Sequence, residues 1–386
     1  MELSIYYKNI QWPKFQVVVT DMLITNRGPG SVMVGKDNRI PASHHVIAIT
    51  LILIGIITTS ILFVFALALN QNYTAMAQQQ QPTLEGISFD IDNMTFSHHT
   101  ASVNGIQMHY VIGGQGDPVV LIHGWPETWY EWHRVMPALA KNYTVIAPDL
   151  RGLGDSSKPP TGYDGKTLAE DIHQLVTQLG FKTIFLVGHD IGSFVVYPYA
   201  AAHPTEVKRL VVMDVPPPGF FPPPQVNGGP PLWWILFHQT PDVPEALTQG
   251  KEMEYLSWHY QNLAYNRAAI TQEAINEYVS RYSAPGGMRA GFEHYRAMPQ
   301  DAIQNQNYSK TKLTMPVLAL AGGYIPTFGG NITIPSLVEY GMKLLAQNVT
   351  GITVPNSGHY IAEEQPDVVV KLLNNFFSGN STTSSK

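Results

Sequence analysis

Apolar positions along this chain fall into three kinds of pattern, and each predicts a different element. Residues 46–69 (VIAITLILIGIITTSILFVFALAL) form an uncharged apolar run of membrane-spanning length. Beyond a Gln/Asn-rich spacer at 71–81, residues 95–103 and 106–112 alternate on either side of Asn104-Gly105, the pattern of two antiparallel strands joined by a tight turn. The runs at 118–124, 143–150, 183–190 and 207–215 are instead short and continuously apolar, as parallel strands covered on both faces should be. Helical periodicity at 167–179 and 194–203 lies between them, so strand and helix alternate into a doubly wound, mostly parallel sheet.

The alternation stops at residue 217. Residues 217–308 begin rich in Trp, Tyr and Pro and then become helical, which reads as a helical cap inserted before the last two strands. Strand character resumes at 315–323 and 349–355, with helices expected at 334–346 and 366–377. The expected organisation is a cytoplasmic N-terminal segment (1–45), the membrane run (46–69) and a linker (70–86). A core in two parts (87–216 and 309–379) then surrounds the cap (217–308), and a polar tail (380–386) ends the chain.

With 386 residues, 44% of them apolar, the chain can bury a full core without disulfide or metal staples. A net charge of −6 with no long run of like charge gives no footprint for nucleic acid. Cysteine is absent, which excludes disulfides, thiolate catalysis and thiolate-ligated metal. Lys8, Lys14, Arg27, Lys36 and Arg39 precede the apolar run and no charge follows it closely, so the larger part of the chain is expected outside the cytoplasm. Seven Asn-x-Ser/Thr triplets, at Asn72, Asn93, Asn142, Asn307, Asn331, Asn348 and Asn380, fall on that side. Ala75-Met76-Ala77 before Gln78 has the small residues of a signal-peptidase site, and Met22 or Met33 are alternative starts. Retention as an anchor and cleavage after Ala77 therefore both stay open.

The candidate chemistry starts at residues 188–192 (GHDIG), at a strand end and before a helix. Small residues flank a central Asp190, the setting of a nucleophile elbow, in which the central residue is held strained where neighbouring side chains would obstruct it. An Asp there can also be a plain helix N-cap. A carboxylate nucleophile attacks saturated carbon and leaves an ester that water can cleave. That second step needs a base, and His359 in SerGlyHis stands just beyond the last strand. The base needs an acid to fix its tautomer. Residues 322–336 contain no Asp or Glu, so the orienting acid falls to Asp214, which ends the strand before the cap. Backbone N–H groups of Trp125 and Ile191 are the expected oxyanion donors. Asp149, Arg151 and Asp155 read as loop-bracing residues, and no cofactor or metal is expected.

Taken in order, HGWPETWYEWHRVMPALA, PDLRGLGDSSKP, VGHDIG, VVMDVPPPG, FEHYRAM and SGHY resemble the aspartate-nucleophile members of the α/β-hydrolase fold over 87–377. Within that group the chain is similar to bacterial epoxide hydrolases, particularly the secreted Cif type, and next to haloalkane and haloacid dehalogenases. The resemblance implies hydrolysis through a covalent alkyl-enzyme ester, epoxide to vicinal diol, with a small apolar substrate and water. It also implies that Tyr295 in FEHYR protonates the leaving oxygen. The family's second donor, a His in a W-H-F segment, is replaced: the segment here is Trp233-Trp234-Ile235. Trp234 stands at the His position, and His238 substitutes only if the cap helix turns it inward; a surface His is the expected state. Trp233, Trp234 and His238 are candidate pocket residues. Two indole N–H groups beside a Tyr also suit a departing halide, which makes a dehalogenase the alternative. The dehalogenase signatures after the nucleophile, Arg or Trp, are absent at Ile191 and Phe194. A catalytically weak surface binding module is a third reading.

Overall fold

The computed structural model describes residues 84–221, 233–324 and 335–380, with Thr58 and Ser60. The chain divides into two units, 1–82 and 83–386. Nearly all of the first, including the expected membrane run at 46–69 and the Ala77 cleavage site, lies outside the described residues, as do 222–232, 325–334 and 381–386. No helix among the described residues is long and apolar enough to cross a membrane.

The second unit is built on a nine-stranded sheet in the order β1-β2-β3-β5-β4-β6-β7-β8-β9. Its antiparallel edge comprises β1 (Ser88–Ile91), β2 (Met94–Val103) and β3 (Ile106–Gly113). Asn104 (φ 41°) and Gly105 (φ 81°) take the left-handed conformation that a two-residue hairpin turn demands. β1 is a strand the alternation did not predict, because four residues are too few to show a period. β4 (Asp117–Ile122), β5 (Tyr143–Pro148), β6 (Ile184–His189), β7 (Val207–Met213), β8 (Val317–Gly322) and β9 (Val349–Val354) are parallel to their neighbours, while β3 joins β5 antiparallel.

These central strands read as unbroken apolar runs because alternate residues enter two separate cores. Val120, Ile122, Leu186, Val212 and Ala319 face one core, with α2 (Gly165–Gln178), α3 (Ser193–Ala202) and α9 (Pro335–Leu345) packed on it. Val119, Leu121, Val187, Val211 and Leu320 face the other, covered by α1 (Met136–Leu139) and α11 (Pro366–Phe377). From β4 the chain passes to β5 on one side and then to β6 on the other. The strand order therefore switches beside β4, and the loops after β4 and β6 diverge there to leave a crevice.

Over the carboxyl ends of the strands lie the cap helices α4 (Trp233–Gln239), α5 (Val243–Thr248), α6 (Glu252–Leu263), α7 (Gln272–Tyr282) and α8 (Gly287–Tyr308). Polar bonds fix the cap to the core. Tyr260 Oη donates to Pro126 O (2.5 Å), Tyr282 Oη to Glu127 O (3.1 Å) and His294 Nε2 to Arg151 O (3.0 Å). Asp301 on α8 accepts from Gly165 N (2.7 Å), at the start of α2.

Candidate active site

Asp190 emerges from β6 into a single 3₁₀ turn that leads to α3, and its φ of 48° is in the left-handed region. A non-glycine residue pays for that conformation, so tight packing must enforce it. The packing is visible in two flanking glycines. A Cβ on Gly192 would lie 2.6 Å from Ile122 O, and one on Gly124 would lie 2.8 Å from the Asp190 Cβ. Any side chain at either site would push the elbow apart. Asp190 is 7% exposed, and its Oδ2 accepts from Trp125 N at 2.9 Å. Oδ1 is left as the attacking oxygen. The second expected donor, Ile191 N, makes no hydrogen bond to this carboxylate among the described residues; Ile191 is itself buried in the turn.

The base and its acid meet from opposite sides of the cap insertion. His359 Nδ1 lies 2.5 Å from Asp214 Oδ2, both side chains being buried. A carboxylate only accepts, so Nδ1 carries the hydrogen and Nε2 is left as the free base. Asp214 has a positive φ of 67°, and its N–H donates to Leu320 O (2.7 Å), which turns the side chain out of the β7 line. Asp149, Arg151 and Asp155 brace loops. Asp149 bonds His109, Trp129 N and Asp155 N; Arg151 pairs with Asp171 (2.6 Å); Asp155 pairs with Arg281 (3.0 Å).

The cap wall is aromatic. The Tyr295 ring stands edge-to-face to Trp125, with centroids 5.6 Å apart. Burial and the charge of Asp190 hold its hydroxyl well above the usual phenol range, so the proton stays on the oxygen at neutral pH. Next to Tyr295, His294 docks on Arg151 O, which fixes the turn of α8 that carries them both.

His238 corrects the sequence expectation. It is not a surface residue: it is fully buried, its ring 4.5 Å from both Tyr295 and Trp125, and its Nε2 is 2.6 Å from the Tyr255 hydroxyl. The reason is packing of α4, which turns the Trp234–His238 face inward and leaves Trp233 outward, 47% exposed. Trp233 is thus a half-exposed cap residue, stacked edge-on to Trp258 (5.2 Å). Trp234 is 8% exposed and packs on Trp258 and His259 at 6.1 and 5.9 Å. Burial and nearby His259 push the His238 imidazole well below its ordinary range, so it is neutral here.

Several acidic and imidazole groups escaped the sequence reading. His259, fully buried, donates from Nδ1 to Tyr255 O (3.0 Å), and burial pushes its ring down to about 3. Glu127, Glu131 and His189 cluster under the elbow: His189 Nδ1 is 3.1 Å from Glu131 and 3.4 Å from Glu127. Their signal was faint. Two carboxylates four apart in an apolar stretch, and a His inside a buried strand, have no partner that the sequence names.

Two imidazole–carboxylate groupings are poorly suited to a metal. His173 and His203 share Glu206, but their rings are stacked 3.8 Å apart at 5°. An imidazole lone pair lies in its ring plane, so parallel stacked rings cannot both direct one at a single ion. In the Glu127–Glu131–His189 group the imidazolium itself supplies the positive charge. Burial opposes that charge, but the Glu131 and Glu127 carboxylates outweigh it and hold His189 well above its ordinary range.

A family model described as the alpha/beta hydrolase fold matches residues 117–366. The chain belongs to the α/β-hydrolase family. Over 287 residues this α/β-hydrolase is 40% identical to a soluble epoxide hydrolase of Corynebacterium sp. (strain C12), covering 73% of the chain and 97% of that protein. Among solved structures, it is similar to the epoxide hydrolase CorEH without ligand (TM-score 0.67, 38% identity, 74% and 99% of the two chains). It is also similar to the Cif epoxide hydrolase from Acinetobacter nosocomialis (TM-score 0.66, 27% identity, 80% and 96%).

Proposed function

We propose that this α/β-hydrolase opens epoxides to vicinal diols through an ester on Asp190. The observation that carries the reading is the Asp190 carboxylate, anchored at Oδ2 by Trp125 N–H and faced by the protonated Tyr295 across an aromatic crevice. Similarity to epoxide hydrolases over nearly their whole length supports it.

Oδ1 attacks an epoxide carbon, the carbon–oxygen bond breaks, and the departing oxygen takes the Tyr295 phenol proton. His359 Nε2 then removes a proton from water, whose oxygen adds to the ester carbonyl carbon. Charge develops on Oδ2, where Trp125 N–H already points. Collapse releases the diol and the free carboxylate. His359 returns its proton to the leaving oxygen, and the remaining proton restores Tyr295.

His359→Gln supplies the test. With a panel of aryl and alkyl epoxides, the variant should carry one substrate mass on Asp190 while diol release falls about 10²- to 10⁴-fold, the usual contribution of a general base. Diol from the natural chain without any Asp190 adduct in the variant rejects the mechanism. Halide release from haloalkanes or haloacetate, without diol from any epoxide, rejects the substrate class.

The proposed site of action is outside the cytoplasm, with 46–69 crossing the membrane or serving as an export signal. Five of the seven sequon asparagines (Asn93, Asn142, Asn307, Asn348 and Asn380) are described and all are exposed, which agrees with export. Protease added to intact cells should remove activity held at the surface; activity protected until lysis counts against this placement.

A further inference from the structure

His189 precedes the nucleophile, yet the mechanism above assigns it no role. It is the one polar side chain on β6 and is 1% exposed, with Nε2 hydrogen-bonded and Nδ1 set at ion-pair distance from two buried carboxyl groups. Nε2 lies 2.8 Å from His359 O; a carbonyl only accepts, so Nε2 carries a hydrogen. Nδ1 faces Glu131 Oε1 at 3.1 Å. The other oxygen, Glu131 Oε2, accepts from Gly124 N at 2.7 Å, one residue before the N–H that anchors Asp190.

These contacts form one continuous path. It runs from the loop after β4 through Glu131 to His189 on β6, and from there to the backbone of the base. Two backbone bonds hold the His359 main chain, its N–H donating to Leu263 O (2.9 Å) at the end of α6 and its carbonyl accepting from Ile361 N (3.0 Å); His189 adds the side-chain bond that ties this carbonyl to β6. The rings of His189 and His359 are 4.7 Å apart.

We infer that the Glu131–His189 pair is a positioning device that locks the oxyanion loop, the nucleophile strand and the His359 loop in register, chiefly for hydrolysis of the covalent ester. The inference rests on the epoxide-hydrolase reading. Ester hydrolysis depends on it more than alkylation does, because only hydrolysis needs His359 Nε2 and the Trp125 N–H aligned on one water and one carbonyl. A shift of about 1 Å there is worth as much as 10²-fold in rate. The titratable groups facing His189 are Glu127 and Glu131 from the loop after β4, Asp190 beside it, and the Asp214–His359 pair. Burial, with Glu131 nearby, pushes the Glu127 carboxyl well above its ordinary range, and burial pushes Glu363, in the α10 turn (Ile361–Glu364), up to about 8.

The test separates the two half-reactions in the full chain, by single-turnover quench with mass analysis of the Asp190 ester. His189→Phe removes the side-chain donor to His359 O and leaves only the backbone Ile361 N–H on it. It should slow ester hydrolysis roughly 10- to 100-fold, leave alkylation within about threefold and raise steady-state ester occupancy. His189→Gln, whose amide N–H can reach the same carbonyl, should recover most of the loss, which a merely space-filling role would not predict. Glu131→Gln keeps the acceptor for Gly124 N but removes the counter-charge, and should also raise ester occupancy. Should His189→Phe not fold, the Gln variants decide. Equal slowing of both steps, no rescue by His189→Gln, or natural ester occupancy in Glu131→Gln overturns the inference. When the natural chain forms diol and the variants behave as it does, only this inference falls. Absence of both diol and Asp190 adduct in the natural chain removes it together with the reading it rests on.

Discussion

The two walls of the crevice are held by different physics. On the core wall every reactive group is fixed through the backbone: Asp190 and Asp214 at positive φ, Trp125 N on Asp190 Oδ2, and His359 bonded at both N–H and C=O. The cap wall is a set of rings, Tyr255, His259, His238 and Tyr295, each 4.5 to 6.5 Å from the Trp125 ring of the core, with few hydrogen bonds. His238 Nδ1, His259 Nε2 and the Trp125 indole N–H have no protein partner. A wall fixed by backbone geometry tolerates almost no change, whereas one built from aromatic contacts can repack. Apart from the Tyr295 proton, chemistry belongs to the first and substrate fit to the second.

That contrast orders the expected effects. Asp190→Asn should cost on the order of 10⁴-fold or more in diol formation with an unchanged melting temperature, since the side chain keeps its shape and loses its nucleophile. Retention of more than about a hundredth of the activity, against that scale, would remove Asp190 from the reaction. Tyr295→Phe should slow alkylation about 10²-fold and leave hydrolysis of a preformed ester unaltered. Equal slowing of both steps would make Tyr295 part of the frame and erase the distinction between the walls.

Smaller changes concern the cap and the buried charge. His238→Leu leaves the Tyr255 hydroxyl without its partner in a partly buried setting, which should destabilise by about 1–2 kcal/mol. Calorimetry reads this directly, and no loss would mean that the cap repacks around the change. Burial pushes the Glu363 carboxyl up to about 8. A carboxyl raised on folding contributes stability that is complete below its unfolded range and is lost as pH rises through about 8. Glu363→Gln should therefore flatten the fall in melting temperature between about pH 5 and 8, by about a few degrees. His259 has the opposite sign: held down to about 3, it costs stability only as pH falls below the ordinary imidazole range.

The core wall was also the more legible one. Gly188 and Gly192 around Asp190, the acid-free stretch at 322–336 and the position of His359 after the last strand are statements about order along the chain. The α/β-hydrolase architecture translates that order into place. Helix boundaries came within two residues at α2, α3, α9 and α11, because amphipathic periodicity is local. The antiparallel β1 was missed for want of length.

What the sequence determined by itself was therefore the alternation of buried strands and helices, the insertion that splits them, and an aspartate at a tight turn with glycine two positions to either side. The tertiary structure alone decided which way α4 faces, bringing His238 inward and Trp233 outward, and that Glu131 and His189 meet under the elbow. The physical reason is the range of the forces involved. Periodicity and backbone strain are set within a few residues. The pairing of buried charges and the inward face of a short helix depend on groups up to 170 positions away, as His189 and His359 are.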